Sequence, residues 1–293
     1  MKRIIAIVLL AGFVSFLSCK SKPKPTGPAH TLKMRLANGD KFGQDMDMDM
    51  KIGMKAGGVN MDMNMTMNMS IDMEVLGDTA DMKKLKFTYT SAKMGLDIQG
   101  LPGGTPGLGT KEIMDEAAEK ITGKSMVLLL TRKNEIADVL GFEEMITDGD
   151  NPDVDEQIKK MFSKDQLNNM MGIMFSMYPD KAVQVGESWE KEADLNFGPV
   201  NMRVKNNFTL KEVVNGVAKV EINAKYTGNG KMEQKGMNLD MEMDGTQKGE
   251  IGISSDNGYL KGADYKLDMK ARAKIMGQKV PYDIKANYTM KGH

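Results

Sequence analysis

The sequence predicts a mainly β protein: a long curved antiparallel sheet or sheets, or an open half-barrel, with short helices inserted. Three observations carry that prediction. Met61, Met63, Met65, Met67, Met69, Ile71 and Met73 alternate without a break against Asp62, Asn64, Thr66, Asn68, Ser70 and Asp72. Such a period of two gives a strand one apolar face and matches no helical template. The preceding Met46, Met48, Met50, Ile52 and Met54 alternate in the same way against Asp45, Asp47, Asp49 and Lys51. Third, Val200, Met202, Val204, Phe208 and Leu210 repeat the pattern late in the chain.

The first eighteen residues read as a secretory signal. Lys2 and Arg3 give a positive start, Ile4 to Leu17 an apolar core, and Ser18 a small residue at the cut. The apolar run is shorter than the ~20 residues of a comfortable membrane-spanning helix. Phe16-Leu17-Ser18-Cys19 resembles the lipobox of bacterial lipoproteins, with Phe16 in place of the usual leucine. That resemblance implies a diacylglycerol on Cys19, the only cysteine of the chain. Residues 19–30 then form a lipidated tether whose three prolines disfavour regular structure and whose three lysines suit anionic head groups. Lys20 is not the aspartate that marks inner-membrane retention, which favours the outer membrane.

Residues 31–149 form an N-terminal, methionine-rich β part with one short helix. Its first hairpin turns at Gly57-Gly58, a pair suited to a primed turn, and places Met54 opposite Met61, Met50 opposite Met65 and Met46 opposite Met69. On the reverse side Asp49 meets Thr66, Asp47 meets Asn68 and Asp45 meets Ser70, so no two acids face each other. Gly100 to Gly109 is a loop by composition. Lys111 to Thr122 has Ile113, Met114, Ala117, Ala118 and Ile121 on one helical stripe and Gly123 as its stop.

Residues 150–178 are a helical insert. Asn151-Pro152 opens it, Ser163 with Gln166 forms a second start of capping-box type, and the helix ends before Pro179. Residues 179–293 form the C-terminal β part, at whose start Trp189 serves as an anchor. A three-residue loop at Val214-Asn215-Gly216 sets Leu210 opposite Val220 and Phe208 opposite Ile222. Met237, Leu239, Met241 and Met243 mark a further strand. A turn at Gly277-Gln278 sets Ile275 opposite Val280, Ala271 opposite Ile284 and Leu267 opposite Tyr288.

The segment Pro179 to Trp189 (PDKAVQVGESW) resembles a recurrent element of an uncharacterised family of methionine-rich bacterial envelope lipoproteins. Gly123-Lys124-Ser125, Asn134-Glu135-Ile136 and Thr209 to Val213 extend the resemblance over most of Thr31 to Met290. It implies envelope localisation and no known activity. More loosely, the layout looks like envelope lipid carriers, in which a curved sheet holds a greasy hollow beneath short helices.

Composition narrows the function. Removing Lys2 and Arg3 from the 40 basic residues leaves 38 against 40 acidic ones, a balance unsuited to nucleic acid. The two histidines are His30 and His293, and no phosphate loop or dinucleotide fingerprint occurs. No catalytic residue and no cofactor is expected, and the chain reads as a non-enzyme. Asp45, Asp47 and Asp49 are ~7 Å apart along a strand, too far to wrap one calcium ion.

The 30 methionines leave three readings open. They can be core filler of a purely structural envelope lipoprotein, since the thioether adapts to irregular gaps. Met46, Met48, Met50, Met54, Met61, Met63, Met65, Met67, Met69 and Met73 can instead line an adaptable wall for an apolar small molecule, a hydrophobic peptide or an envelope protein. Met48, Met50, Met65 and Met67 can form a Cu(I) or Ag(I) site, because soft cations select thioethers.

Overall fold

The computed structural model describes residues 25–56, 59–79, 81–100, 110–132, 135–141, 163–197, 200–234, 237–275 and 278–293. The segments read from the sequence as a signal, as the lipidated Cys19, as the turns at Gly57-Gly58 and Gly277, as a loop up to Gly109 and as a helix start at Asn151-Pro152 lie outside these residues. Among the described residues thirteen strands and two helices follow one another: β1 (Thr26–His30), β2 (Lys41–Ala56), β3 (Val59–Thr79), β4 (Met82–Gln99), α1 (Thr110–Ile121), β5 (Ser125–Leu130), β6 (Ile136–Leu140), α2 (Lys164–Ser176), β7 (Val183–Val185), β8 (Ser188–Phe197), β9 (Val200–Val214), β10 (Val217–Gln234), β11 (Met237–Ser254), β12 (Leu260–Ile275) and β13 (Gln278–Gly292).

Eleven strands form one antiparallel sheet in the order β6-β5-β4-β3-β2-β13-β12-β11-β10-β9-β8. The N- and C-terminal β parts are thus halves of one sheet, joined where β13 pairs β2 from Tyr282↔Met54 to Gly292↔Gln44. Thr26–His30, expected within the tether, instead pairs with β7 as a two-stranded sheet. Pro28 fits there because an edge strand needs no donor on its open side.

The β2–β3 hairpin has the expected register throughout: Met54↔Met61, Met50↔Met65 and Met46↔Met69. Outside, Asn68 and Ser70 donate to Asp47 and Asp45 at 2.5 and 2.6 Å. The β9–β10 turn is tighter than the sequence suggested. Val214 pairs Val217 around Asn215 (φ 51°) and Gly216 (φ 74°), a two-residue primed turn. A bulge beside Lys219 and Val220 then adds one residue, so Leu210↔Val220 and Phe208↔Ile222 hold for a different reason. The β12–β13 register is corrected by two residues: Ile275 pairs Gln278, Ala271 pairs Tyr282 and Leu267 pairs Ala286. A shift of two leaves every side chain on its expected face.

A flat sheet of eleven strands would be about 48 Å wide, whereas a 13-residue helix is about 20 Å long and 10–12 Å across. Yet α2 touches both edge strands. Asn168 Oδ1 accepts from the Ile136 backbone N–H on β6 at 3.0 Å, while Gln166 and Asn169 donate to the Asn196 carbonyl on β8 at 3.3 and 2.5 Å. The sheet therefore curls until one helix bridges its edges. Among the described residues β6 and β8 do not pair, so the barrel stays open. Ser163 caps α2 through the Gln166 N–H at 3.4 Å, but the Gln166 side chain goes to β8 instead of completing a capping box.

One end of this incomplete barrel is closed. Leu32 and Met34 are buried beneath it, and residues 31–40 are held by Arg35 N–H to Asn257 O and Gly39 N–H to Val75 O, both 2.8 Å. Tyr178 donates to Gly258 O and Trp189 Nε1 to Met177 O. On α1, Ala117, Ala118 and Ile121 are buried, and Gly123 (φ 78°) ends the helix as expected.

Candidate functional site

The inner face is built by register. Trp189, Phe208, Ile222, Gly249, Tyr265, Tyr288, Met48, Met67 and Met94 form one transverse row across nine strands, all on the same side. Trp189 stacks on Phe208 with centroids 5.5 Å apart, and Tyr265 on Tyr288 at 4.5 Å. Trp189, at the start of β8, thus ties the sheet edge to the end of α2. Toward the closed end of this row the face is a packed core. Met69 and Met73 belong to that core, and Met46, Met67 and Met94 pack against it.

Toward the other end the packing stops. Met48, Met50, Met54, Met61, Met63 and Met65 lie beyond the core and are only half-buried, as are Ile52, Leu96 and Ile98 on the same face. The ten methionines singled out by sequence therefore divide between a packed part and an open part. Met48 and Met67 face each other directly, as do Met50 and Met65, which brings the four thioether residues together as two cross-strand pairs. No group of three or more His, Cys, Asp or Glu suited to a metal occurs among the described residues.

The outer face is the reverse. Asp264, Lys266, Asp268, Lys270, Arg272 and Lys274 alternate along β12 and are all exposed, and Arg203–Asp194, Lys205–Glu192 and Lys219–Glu212 pair across neighbouring strands at 2.8, 2.9 and 2.6 Å. A barrel embedded in lipid needs an apolar band outside and tolerates polarity within. This sheet has charge outside and hydrocarbon within. None of the helices is long and apolar enough to cross a membrane among the described residues.

One polar feature of the inner face was not legible in the sequence. Gln247 on β11 points inward and is 8% exposed. It sits between Gly245 and Gly249, which are faced across the ladders by Tyr226 and Tyr265. Tyr226 donates its hydroxyl to Gln247 Oε1. Burial pushes the Tyr226 and Tyr288 phenols up to about 12, and burial followed by the neighbouring Tyr288 and Tyr226 raises Tyr265 further. A side chain at Gly249 would meet Asp264 O at 2.1 Å and Tyr265 Cβ at 2.5 Å, so β11 and β12 approach closely only because glycine stands there. Among the described residues, hollows of about 370 Å³ and about 490 Å³ lie beside Lys41, Asp72, Lys86 and His293 and beside Pro25, Pro179, Lys181 and Trp189.

A sequence profile described as a family of unknown function (DUF6263) matches residues 80–260. No curated protein matches. Among solved structures the chain is similar to lipovitellin, from a study of its lipid–protein interactions, at 10% identity and a TM-score of 0.49; the match covers 88% of this chain and 25% of that one. It is also similar to an outer membrane channel from Pseudomonas putida F1 at 9% identity and a TM-score of 0.24, covering 89% and 97%. The chain thus spans about a quarter of the lipovitellin chain.

Proposed function

The chain belongs to that family of unknown function, its profile covering residues 80–260, and from this premise we propose that it is a non-catalytic, membrane-anchored lipoprotein of the bacterial envelope that holds an apolar ligand inside its curled sheet. One observation carries the proposal: Met48, Met50, Met54, Met61, Met63 and Met65 are half-buried on the inner side of a sheet whose outer side is charged. Thioether chains in a packed core would be covered, and on an ordinary surface they would be rare. A wall that is apolar, flexible and partly uncovered suits ligands of variable shape. Lipid on Cys19 would keep the protein at a membrane, the outer one by the identity of Lys20, while the charged outer face keeps the sheet in water.

The test uses the chain without its signal, purified and extracted with organic solvent, then titrated with a fluorescent long-chain acyl probe. We expect co-purifying lipid and one saturable probe site, lost in Met50→Glu/Met65→Glu. Absence of both lipid and probe binding overturns the ligand reading. For the anchor, Cys19→Ser should move the protein from the membrane to the soluble fraction; retention at the membrane overturns it.

A further inference from the structure

We propose that Met48, Met67 and Met94 together hold a soft monovalent cation, Cu(I) or Ag(I), across three adjacent strands of the inner face. This goes beyond the apolar-ligand reading and does not depend on it.

Register brings the three residues together. Met67 on β3 is faced by Met48 on β2 and by Met94 on β4, so three thioether residues stand side by side in one transverse row. Neighbouring strands are about 4.8 Å apart. The unbranched methionine side chain, with its rotatable bonds, lets the outer two lean toward the middle one. Alternation along β2 and β3 pointed to Met48, Met50, Met65 and Met67, but Met50 and Met65 belong to the next row, whose third member is Leu96. The row on the other side also holds three methionines, Met290, Met46 and Met69. Two of those, Met290 and Met69, are buried in the packed core.

Packing does not demand sulfur on this face. In the other half of the sheet the same face is filled by Phe208, Leu210, Val220, Ile222, Ile251 and Ile253, all buried. Most of these are the aromatic and β-branched types that suit strands. Met48, Met67 and Met94 are instead only half-buried. They sit where the core ends: Met67 and Met94 pack against it, whereas Met48 begins the uncovered wall. An ion at this row is reached from the open end and backed by the core.

The surroundings then select the ion. Thioether sulfur is soft and uncharged, which favours Cu(I) and Ag(I). Hard divalent ions take oxygen ligands, and Asp47, Asp49 and Asp97 alternate with the methionines onto the opposite face. With no carboxylate beside the row, a double charge would go uncompensated in an apolar interior, where even a single charge is costly. Tyr288 adjoins Met48 in the same row, and an aromatic ring face attracts a cation.

The experiment uses the chain without its signal and with Cys19→Ser, so that no thiol competes. It is titrated with Ag(I) and, anaerobically, with Cu(I) against a competing chelator. One ion should bind with a dissociation constant below about 1 μM. X-ray absorption at the copper edge should show sulfur neighbours. Met48→Leu/Met67→Leu/Met94→Leu conserves volume and hydrocarbon, and it should bind Ag(I) at least about 100-fold more weakly while taking up the acyl probe as before. Met67→Leu alone should lose about tenfold, and Met50→Leu/Met65→Leu should stay within about threefold. The far-ultraviolet strand signal checks that each variant is folded. Binding weaker than about 1 μM, a copper shell without sulfur, unaltered affinity in the triple variant, or an equal loss in Met50→Leu/Met65→Leu overturns the site. None of these outcomes touches the apolar-ligand reading, which fails instead if the chain neither carries lipid nor binds the acyl probe.

Discussion

Asn168 on α2 accepts a hydrogen bond from the backbone N–H of Ile136, the first residue of an edge strand, at 3.0 Å. A side chain here substitutes for the next strand of a closed barrel. Exposed edges invite pairing with other chains, and covering them with a helix is one way to prevent it.

Replacing Asn168 by Ala should leave that edge donor without its partner. The expected cost is about 1 kcal/mol, the net value of one ordinary hydrogen bond. Hydrogen exchange at the Ile136 amide should accelerate by more than the global change explains. An unchanged exchange rate there would show that α2 does not hold the edge in solution.

Met63 and Met73 share one face of β3, yet the packed core contains only Met73, which is 3% exposed. Met73→Ala should therefore destabilise by about 2–5 kcal/mol, the range for emptying a filled core position. Met63→Ala, at a half-covered position, should cost less than about 1 kcal/mol. Urea denaturation of the two variants measures the contrast. Equal losses would mean that the whole methionine face is core.

That contrast marks where the sequence stops being informative. Alternation in β2 and β3 identifies which side of each strand is apolar, and the Gly57-Gly58 pair adds the register, since thirteen consecutive residues agree with one pairing. It cannot say how much of that side is covered, because Met63 and Met73 look alike along the chain. Alternation also fixes register only to the nearest two residues, which is why the β12–β13 pairing was displaced while its faces were right. The β13–β2 ladder joins segments more than two hundred residues apart and leaves no local trace. Gln247 escaped notice because one polar residue among Met243, Gly245, Gly249 and Ile251 reads as an interruption of the pattern. Only its burial and the tyrosines around it give it meaning.

Gly249 offers a direct test of how tightly the sheet is curled. With the added side chain only 2.1 Å from Asp264 O, Gly249→Val requires β11 and β12 to separate. Overpacking of this kind costs about 1–3 kcal/mol and more where backbone must move. The expected result is a loss at or above the top of that range, read from the midpoint of thermal or urea unfolding. A variant as stable as wild type would show that the two strands are further apart in solution.

The buried tyrosines make stability depend on alkaline pH. An exposed phenol ionises near 10, whereas Tyr226 and Tyr288 are pushed up to about 12 because burial disfavours the phenolate. Between those values the unfolded chain has released the proton and the folded chain retains it, so the unfolded state binds fewer protons and stability falls as pH rises. Their contribution is present in full below about pH 10 and is lost as pH climbs to about 12. Unfolding free energy should accordingly be flat from pH 8 to 9 and decline above 10, with tyrosinate absorbance appearing together with the loss of structure. Tyr226→Phe removes one of these protons from the balance and should flatten the decline, although its lost bond to Gln247 lowers stability at every pH by about 1 kcal/mol. If tyrosinate instead appears near pH 10 with the sheet intact, the phenols are in water, and the interior that surrounds Gln247 is wet.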